Sequence, residues 1–318
     1  MEKKIFFNSK HGLKLCGLWL TKKHYAPSLM IPKINIVRAK SIFIKTKLPG
    51  CDWVVNPYNG CLFGCMYCYA AQIARWKHPN KEWGTYLDVK VNAPLVLKKE
   101  LNKLKERFKK RNFGSVFFSS VTDPYVGMEA KYKLTRKCLE VLADFGYEGN
   151  ISIQTKSPLV TRDIDLLKKL KDITVGFTIT SLDDKISRFL EVKASSVSAR
   201  FKALKKLRNG KIPTYAFVGP ILPYFINNKE KINNLLDKLQ EAGVSEVWFE
   251  HINLSPKIKA RLYDYLQKEE PSLIADFEKI DTEEYRNNLD LIIQNAVKKR
   301  KIKLGLGKVI YHKKLPKK

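Results

Sequence analysis

No apolar run in the 318 residues approaches the length of a bilayer span. Residues 13–20 are short and interrupted by Lys14, so neither a membrane anchor nor a secretory leader is expected. Cysteine is scarce. Of six, three crowd into one loop, while Cys16, Cys51 and Cys138 stand apart with no shared spacing. That pattern does not look like a disulfide framework and fits a reducing cytoplasm. Acidic residues are few as well: 31 Asp and Glu against 60 Lys and Arg, a formal net charge of +29. Such an excess suits a polyanionic partner, nucleic acid before a membrane surface. Lysine is spread along the whole chain, however, and ordinary solvated helix faces account for the same number. With 44% hydrophobic residues, the chain can bury the core of one large α/β domain or a domain with appendages.

What the chain does have is one dense stretch, Asn56-Pro57-Tyr58-Asn59-Gly60-Cys61-Leu62-Phe63-Gly64-Cys65-Met66-Tyr67-Cys68-Tyr69-Ala70, directly after the apolar run Trp53-Val54-Val55. Three clustered thiolates are soft ligands that suit zinc, copper or an iron–sulfur cluster. A structural zinc site closes on four ligands. No fourth Cys or His stands at a finger-like spacing, although Cys51 upstream and His78 downstream can be recruited. A four-iron cluster on three thiolates would keep one iron open to an outside ligand. An open iron beside glycines that let the backbone approach closely is a site for chemistry.

From Cys51 onward, short apolar runs alternate with amphipathic stretches. Strands are expected at 53–55, 116–118, 151–154, 173–180, 215–218 and 247–249. Helical stripes lie between them: Leu97, Leu101, Leu104, Phe108; then Leu134, Cys138, Val141, Phe145; then Ile164, Leu167, Leu170; then Phe201, Leu204, Leu207; then Ile232, Leu235, Leu236, Leu239. A further helix is expected over 69–77, broken at His78-Pro79-Asn80. Before the core, 38–45 reads as a strand or an extended arm. Continuously apolar strands joined by helices argue for a parallel sheet whose right-handed crossovers curl it into an open or closed barrel. Polar residues gather just after the strands, at the edge where parallel α/β folds build their sites. After about Ser255 the chain turns helical again, at 260–267 and 281–299, and ends in a basic tail. The expected division is a basic N-terminal extension over 1–50, a core over 51–255 and a helical, basic C-terminal extension over 256–318.

The Cys-x3-Cys-x2-Cys pattern with an aromatic before the last cysteine resembles the radical S-adenosylmethionine (radical SAM) superfamily. The longer wording from Asn56 to Ala70 is similar to its spore photoproduct lyase-like branch, often labelled DNA repair photolyases. The likeness runs from about Arg38 to about Asn253. It includes Lys90-Val91-Asn92-Ala93-Pro94, Thr161-Arg162-Asp163-Ile164-Asp165-Leu166-Leu167, and the region from Arg188 through Glu191 to Arg200.

The resemblance implies a partial (β/α)6 barrel with the cysteine loop after its first strand. It implies a [4Fe–4S] cluster on Cys61, Cys65 and Cys68, S-adenosylmethionine (SAM) as second cofactor, and an electron donor such as a flavodoxin or ferredoxin. Reductive cleavage of SAM would then give a 5′-deoxyadenosyl radical that abstracts hydrogen from a substrate, nucleic acid first among the classes. The methionine end of SAM needs polar partners. Lys156 is placed to pair with its carboxylate, and Ser120, Thr122 and Asp123 to meet its amino group. Thr180 and Ser181 are expected near the ribose, Tyr67 beside adenine, and Thr178 along the same wall. Plain structural roles compete: Asp123-Pro124 as a turn, Thr180-Ser181 as a helix cap. Tyr125, Tyr215 and Tyr224 are candidate hydrogen donors or acid–base groups by position alone. One departure is informative. Photoproduct lyases carry a hydrogen-donating cysteine before the aspartate, where this chain has Ser120, and a hydroxyl gives up hydrogen to a carbon radical far less readily than a thiol. Radical modification of a peptide, protein or small molecule is an alternative, as is a non-catalytic zinc- or nucleic-acid-binding protein.

Overall fold

A computed structural model describes residues 31–74, 78–223, 228–280 and 282–312. It also describes the backbone of a small antiparallel pair, Lys14–Leu15 (β1) with Leu18–Trp19 (β2). Cys16, Tyr224, residues 75–77 of the helix expected over 69–77, and the last six residues of the basic tail lie outside the described residues.

The remaining strands run along the chain as Lys33–Val37 (β3), Phe43–Lys45 (β4), Trp53–Val55 (β5), Tyr58–Asn59 (β6), Tyr86–Lys90 (β7) and Val116–Phe118 (β8). Ile151–Thr155 (β9), Ile173–Thr178 (β10), Thr214–Ile221 (β11), Glu246–His251 (β12) and Lys303–Leu304 (β13) follow. Eight of them form one sheet in the order β13-β12-β11-β10-β9-β8-β5-β4. Every neighbouring pair from β5 to β13 is parallel, and only β4 runs antiparallel, against β5. The six expected strands are therefore β5 and β8 to β12, adjacent in space in their order of sequence. Short apolar strands joined by helical crossovers produce this order, the partial (β/α)6 barrel.

The crossover helices bury most of the expected stripes: Leu97 and Leu101 on Ala93–Phe108, Leu134, Cys138, Leu139 and Leu142 on Leu134–Phe145, Leu204 and Leu207 on Val197–Asn209, and Ile232, Leu235, Leu236 and Leu239 on Lys229–Glu241. Phe108, expected on the first stripe, is exposed instead, at the last residue of its helix. Two of the four starts, those of Val197–Asn209 and Lys229–Glu241, are capped by side chains. Ser196 accepts from the Ala199 N–H and Asn228 from the Lys231 N–H. One crossover departs from expectation. Between β9 and β10 there is a 3-10 segment, Pro158–Asp163, and then a single α-turn, Ile164–Leu167, that holds Ile164 and Leu167 of the expected stripe, while Leu170 lies past its end. The Ser157 hydroxyl accepts from the Leu159 N–H at 3.3 Å and Pro158 occupies the first turn, so the chain enters tightly coiled.

Both extensions join the barrel. The expected arm at 38–45 becomes β4, and the Glu100 carboxylate accepts from the N–H groups of Ile42 and Phe43 at 3.1 and 2.9 Å. From the other end, β13 adds to β12, and Ile310 bridges Glu250. A second sheet, β3-β7-β6, has its own small core of Tyr58, Leu87, Val89, Val126 and Leu134. Its strand β6 leads straight into the cysteine loop. Among the described residues no helix is long and apolar enough to cross a membrane.

Candidate active site

The cysteine loop is folded by two close approaches. Gly60 sits at φ +79°, and a Cβ there would lie 2.8 Å from the Tyr86 ring and carbonyl. Gly64 rests against Gly84, where an added Cβ would come within 2.9 Å of the Gly64 Cα. Only glycine fits such contacts. The loop so formed carries Cys61 and Cys65 buried and Cys68 half-buried, all as free thiols.

Burial pushes all three thiols up, Cys61 to about 12. Local donors oppose it. Backbone N–H groups of Phe63 and Asp123 face Cys61, those of Ala70 and Ala71 face Cys68, and the Lys156 ammonium favours the thiolates of Cys65 and Cys68. A buried thiol with donors aimed at it gives up its proton to a metal. Among the described residues no three of His, Cys, Asp or Glu are grouped to share one ion. A cubane asks for something different, since it seats each thiolate on a separate iron. The two residues that might have closed a zinc site are engaged elsewhere. His78 Nε2 lies 2.8 Å from Asp88 Oδ2, and Cys51 Sγ lies 3.8 Å from the Leu48 carbonyl.

The polar ends of β8, β9 and β10 meet beside this loop. Asp123, expected to contact an amino group, has both oxygens in use: it accepts from the Tyr125 N–H at 2.8 Å, the Thr155 hydroxyl at 2.6 Å and the Lys156 N–H at 2.7 Å. Burial nevertheless holds its carboxyl above the usual range. It stitches the end of β8 to the end of β9. Lys156 sends its ammonium over the Tyr67 ring, 5.7 Å from the centroid and 3.9 Å from Glu191 Oε1. Burial disfavours that charge, but Cys65 and Glu191 outweigh it and its pKa stays above the ordinary lysine value. Tyr67 gives its hydroxyl hydrogen to Glu191. Ser120 pairs with the Asn56 amide at 3.3 Å, and its carbonyl accepts from the Tyr69 hydroxyl. Thr178 accepts from the Gln154 amide at 3.2 Å. Ser181 takes the Asp183 N–H at 3.0 Å, a turn leading into the helix Asp184–Leu190, whose cap is Asp183.

Three hydroxyl oxygens are different. Ser119 Oγ, Thr122 Oγ1 and Thr180 Oγ1 are shut off from solvent with no partner among the described residues. Leaving a buried hydroxyl unpaired costs about 1–3 kcal/mol. All three belong to the polar segments that follow β8 and β10, on the sheet edge that also carries the cysteine loop. Thiols with facing donors, a half-buried ammonium and unpartnered hydroxyls make a donor set that fits an iron–sulfur cluster and a polar ligand beside it.

Several site residues escape sequence reasoning. Arg200, wholly buried, donates to Glu191 Oε2 at 2.5 Å and to the carbonyls of Thr178 at 3.0 Å and Ser195 at 2.6 Å. The signal is an arginine on the apolar stripe of its helix. Ser119, in a left-handed turn at φ +68°, has no signal beyond its neighbours. Arg261, on the helix Pro256–Glu269, bonds the cysteine loop from outside the region of resemblance. At the end of β12, Glu250 pairs with His312 at 2.8 Å. Of the candidate tyrosines, Tyr125 bonds Asp163 at 3.1 Å and Tyr215 bonds Ser152 at 3.2 Å, both buried.

An open parallel barrel with a thiol triad at the C-terminal end of its first strand defines a class, the cluster-bearing α/β barrel enzymes. The family model of the radical SAM superfamily matches residues 55–239. The chain belongs to that superfamily, whose cofactors are a [4Fe–4S] cluster and SAM, and it is an enzyme that needs a reductant. An uncharacterized protein of Methanocaldococcus jannaschii is 33% identical over 276 residues, covering 86% of this chain and 97% of that one. A radical SAM Nalpha-GlyT isomerase of Pseudomonas phage M6 is 25% identical over 195 residues, covering 61% of this chain and 38% of the phage protein. A solved spore photoproduct lyase, complexed with dinucleoside spore photoproduct, shares the fold with a TM-score of 0.65 at 17% identity, over 85% of this chain and 81% of that one.

Proposed function

We propose that Cys61, Cys65 and Cys68 hold the [4Fe–4S] cluster and that the ends of β8, β9 and β10 bind SAM against its open iron. With both bound and the cluster reduced by one electron, passing that electron to SAM would break its sulfur–C5′ bond, giving methionine and a 5′-deoxyadenosyl radical able to take a hydrogen atom from the substrate. The chain's own residues bind and orient. Lys156 offers its ammonium to the methionine carboxylate, with Glu191 far enough away to share it. Thr122, Ser119 and Thr180 offer hydroxyls to the amino group and the ribose. Tyr67, tied to Glu191, keeps its ring along the wall beside adenine. Asp123 acts through Lys156, holding its backbone rather than touching ligand. The observation that carries this reading is the set of three unpartnered hydroxyls beside the thiol loop, because folding leaves such oxygens bare where a ligand supplies the partner.

The substrate class we propose is nucleic acid. The net charge of +29 suits a phosphate backbone, and the photoproduct lyase that shares the fold was solved with a dinucleoside. The reaction differs from thymine-dimer repair at its last step, since Ser120 offers no thiol hydrogen. Cys138 is wholly buried in a helical stripe and Cys51 bonds Leu48 before β5, so neither replaces it. A ferredoxin- or flavodoxin-type donor supplies the electron.

The test is anaerobic. The protein is reconstituted with iron and sulfide, reduced, given SAM and assayed for 5′-deoxyadenosine, with and without DNA or RNA. We expect a brown protein that forms 5′-deoxyadenosine, faster with nucleic acid and less so as salt rises. Cys65→Ala should lose iron and all product. A fully active Cys65→Ala variant, or a colourless protein that binds zinc, refutes the reading.

A further inference from the structure

The cysteine loop is gripped from outside the barrel by one arginine. The helix Pro256–Glu269 follows β12, and its Arg261 reaches back to the loop. Nε donates to the Met66 carbonyl at 2.9 Å; Nη2 donates to Met66 at 2.7 Å, Cys68 at 2.9 Å and Cys65 at 3.4 Å. The same helix is anchored on either side of Arg261. The Gln72 amide donates to the Ser255 hydroxyl at 2.5 Å, and the Tyr265 hydroxyl donates to the Phe189 carbonyl at 2.7 Å. Next to Phe189, the Leu190 carbonyl accepts from the Met66 N–H at 2.9 Å. The loop between the second and third cysteines is thus held between two helices.

Geometry gives the arginine a purpose beyond docking. A trans peptide points its C=O and N–H in opposite directions. With the Met66 and Cys68 carbonyls turned out to Arg261, the N–H groups of Tyr67 and Tyr69 turn to the opposite face of the loop. The guanidinium charge also lies within 2.7–3.4 Å of the Cys65, Met66 and Cys68 carbonyls. Both effects favour extra negative charge on a cluster, which is what reduction adds.

We propose that Arg261 is a positioning residue for the iron–sulfur cluster. It fixes the peptide planes around the second and third cysteines and sets a permanent positive charge behind them, so the reduced state is easier to reach. The inference rests on the cysteine triad being the cluster's ligand set.

The test compares reconstituted wild type with R261Q, R261K and Y265F, by redox titration followed through the EPR signal of the reduced cluster, and by iron retention against a chelator. R261Q should titrate at a more negative midpoint and hold iron about tenfold less tightly. R261K, which keeps the charge but loses the fork, should fall between R261Q and wild type. Y265F, which loosens the same helix without touching charge, should titrate like wild type. A wild-type midpoint in R261Q overturns the proposal, as does a Y265F shift as large as that of R261Q. If R261Q assembles no cluster, R261K decides: a retained cluster with a wild-type midpoint overturns it. A wild-type protein that takes up no iron refutes the ligand assignment itself, an outcome distinct from any variant result.

Discussion

Two buried polar clusters in this molecule follow opposite rules. Around the helix Leu134–Phe145, Glu129 and Asp163 are completely buried, and each of their four carboxylate oxygens has two partners. Glu129 accepts from Tyr58 at 2.5 Å, the N–H groups of Thr135 at 3.0 Å and Arg136 at 3.1 Å, and Arg162 at 2.9 Å. Asp163 accepts from Arg136 at 2.8 Å, Arg162 at 2.7 and 2.9 Å, and Tyr125 at 3.1 Å. At the thiol loop, by contrast, Ser119, Thr122 and Thr180 keep bare oxygens and Lys156 stands 3.9 Å from its carboxylate. Folding completes the first cluster. The second is left open, which is what the proposed SAM site requires.

The sharpest way to break the contrast is at Glu129. Glu129→Gln leaves Arg162 facing a neutral amide and turns one acceptor oxygen into a donor against Tyr58 or the backbone. Urea unfolding of the variant should show a loss of about 3–5 kcal/mol. A loss under 1 kcal/mol would mean that this network is not what holds the layer together.

Lys156→Met should do the reverse, sparing stability and damaging binding. Glu191 retains Arg200 at 2.5 Å, Ser187 at 2.8 Å and the Tyr67 hydroxyl, so it is not orphaned when the ammonium goes. A charged hydrogen bond to a carboxylate contributes about 2 kcal/mol, more than tenfold in Kd. Equilibrium dialysis of SAM against the reconstituted variant measures it; unchanged affinity would remove Lys156 from the binding site.

How much of this was legible before any coordinates follows the range of each interaction. The six strands and the thiol loop are written in local spacing: apolar runs such as Val116-Phe117-Phe118, and cysteines three and two residues apart. Their order in the sheet follows from chirality, so the barrel was legible too. What spacing cannot express is which atoms are already taken. Asp123 reads as an amino-group contact or as turn chemistry, and its oxygens are taken by the Tyr125 N–H, the Thr155 hydroxyl and the Lys156 N–H. Ser181 reads as a ribose contact or as a helix cap, and its hydroxyl takes the Asp183 N–H in the turn before the helix, whose cap is Asp183. Arg261 lies in a helix outside the resemblance, and its role exists only because that helix folds back on the loop. The 3-10 entry after β9 follows from Ser157-Pro158, which the periodicity of Ile164, Leu167 and Leu170 overrode.

The finest comparison uses the same substitution in both clusters. Thr135 donates to the Pro124 carbonyl at 2.6 Å, so Thr135→Val strands a buried acceptor and should cost about 1–3 kcal/mol of stability. Thr180→Val removes a hydroxyl that has no partner among the described residues. It replaces a desolvated oxygen with a methyl of nearly the same size, so stability should hold or rise slightly. Binding should move the other way. SAM should bind roughly two- to tenfold more weakly to Thr180→Val, the worth of one neutral hydrogen bond, and no differently to Thr135→Val once the folded fraction is matched. If Thr180→Val costs as much stability as Thr135→Val, then its oxygen already has a partner in the folded protein. In that event the open edge beside the cysteines is as complete as the rest of the core.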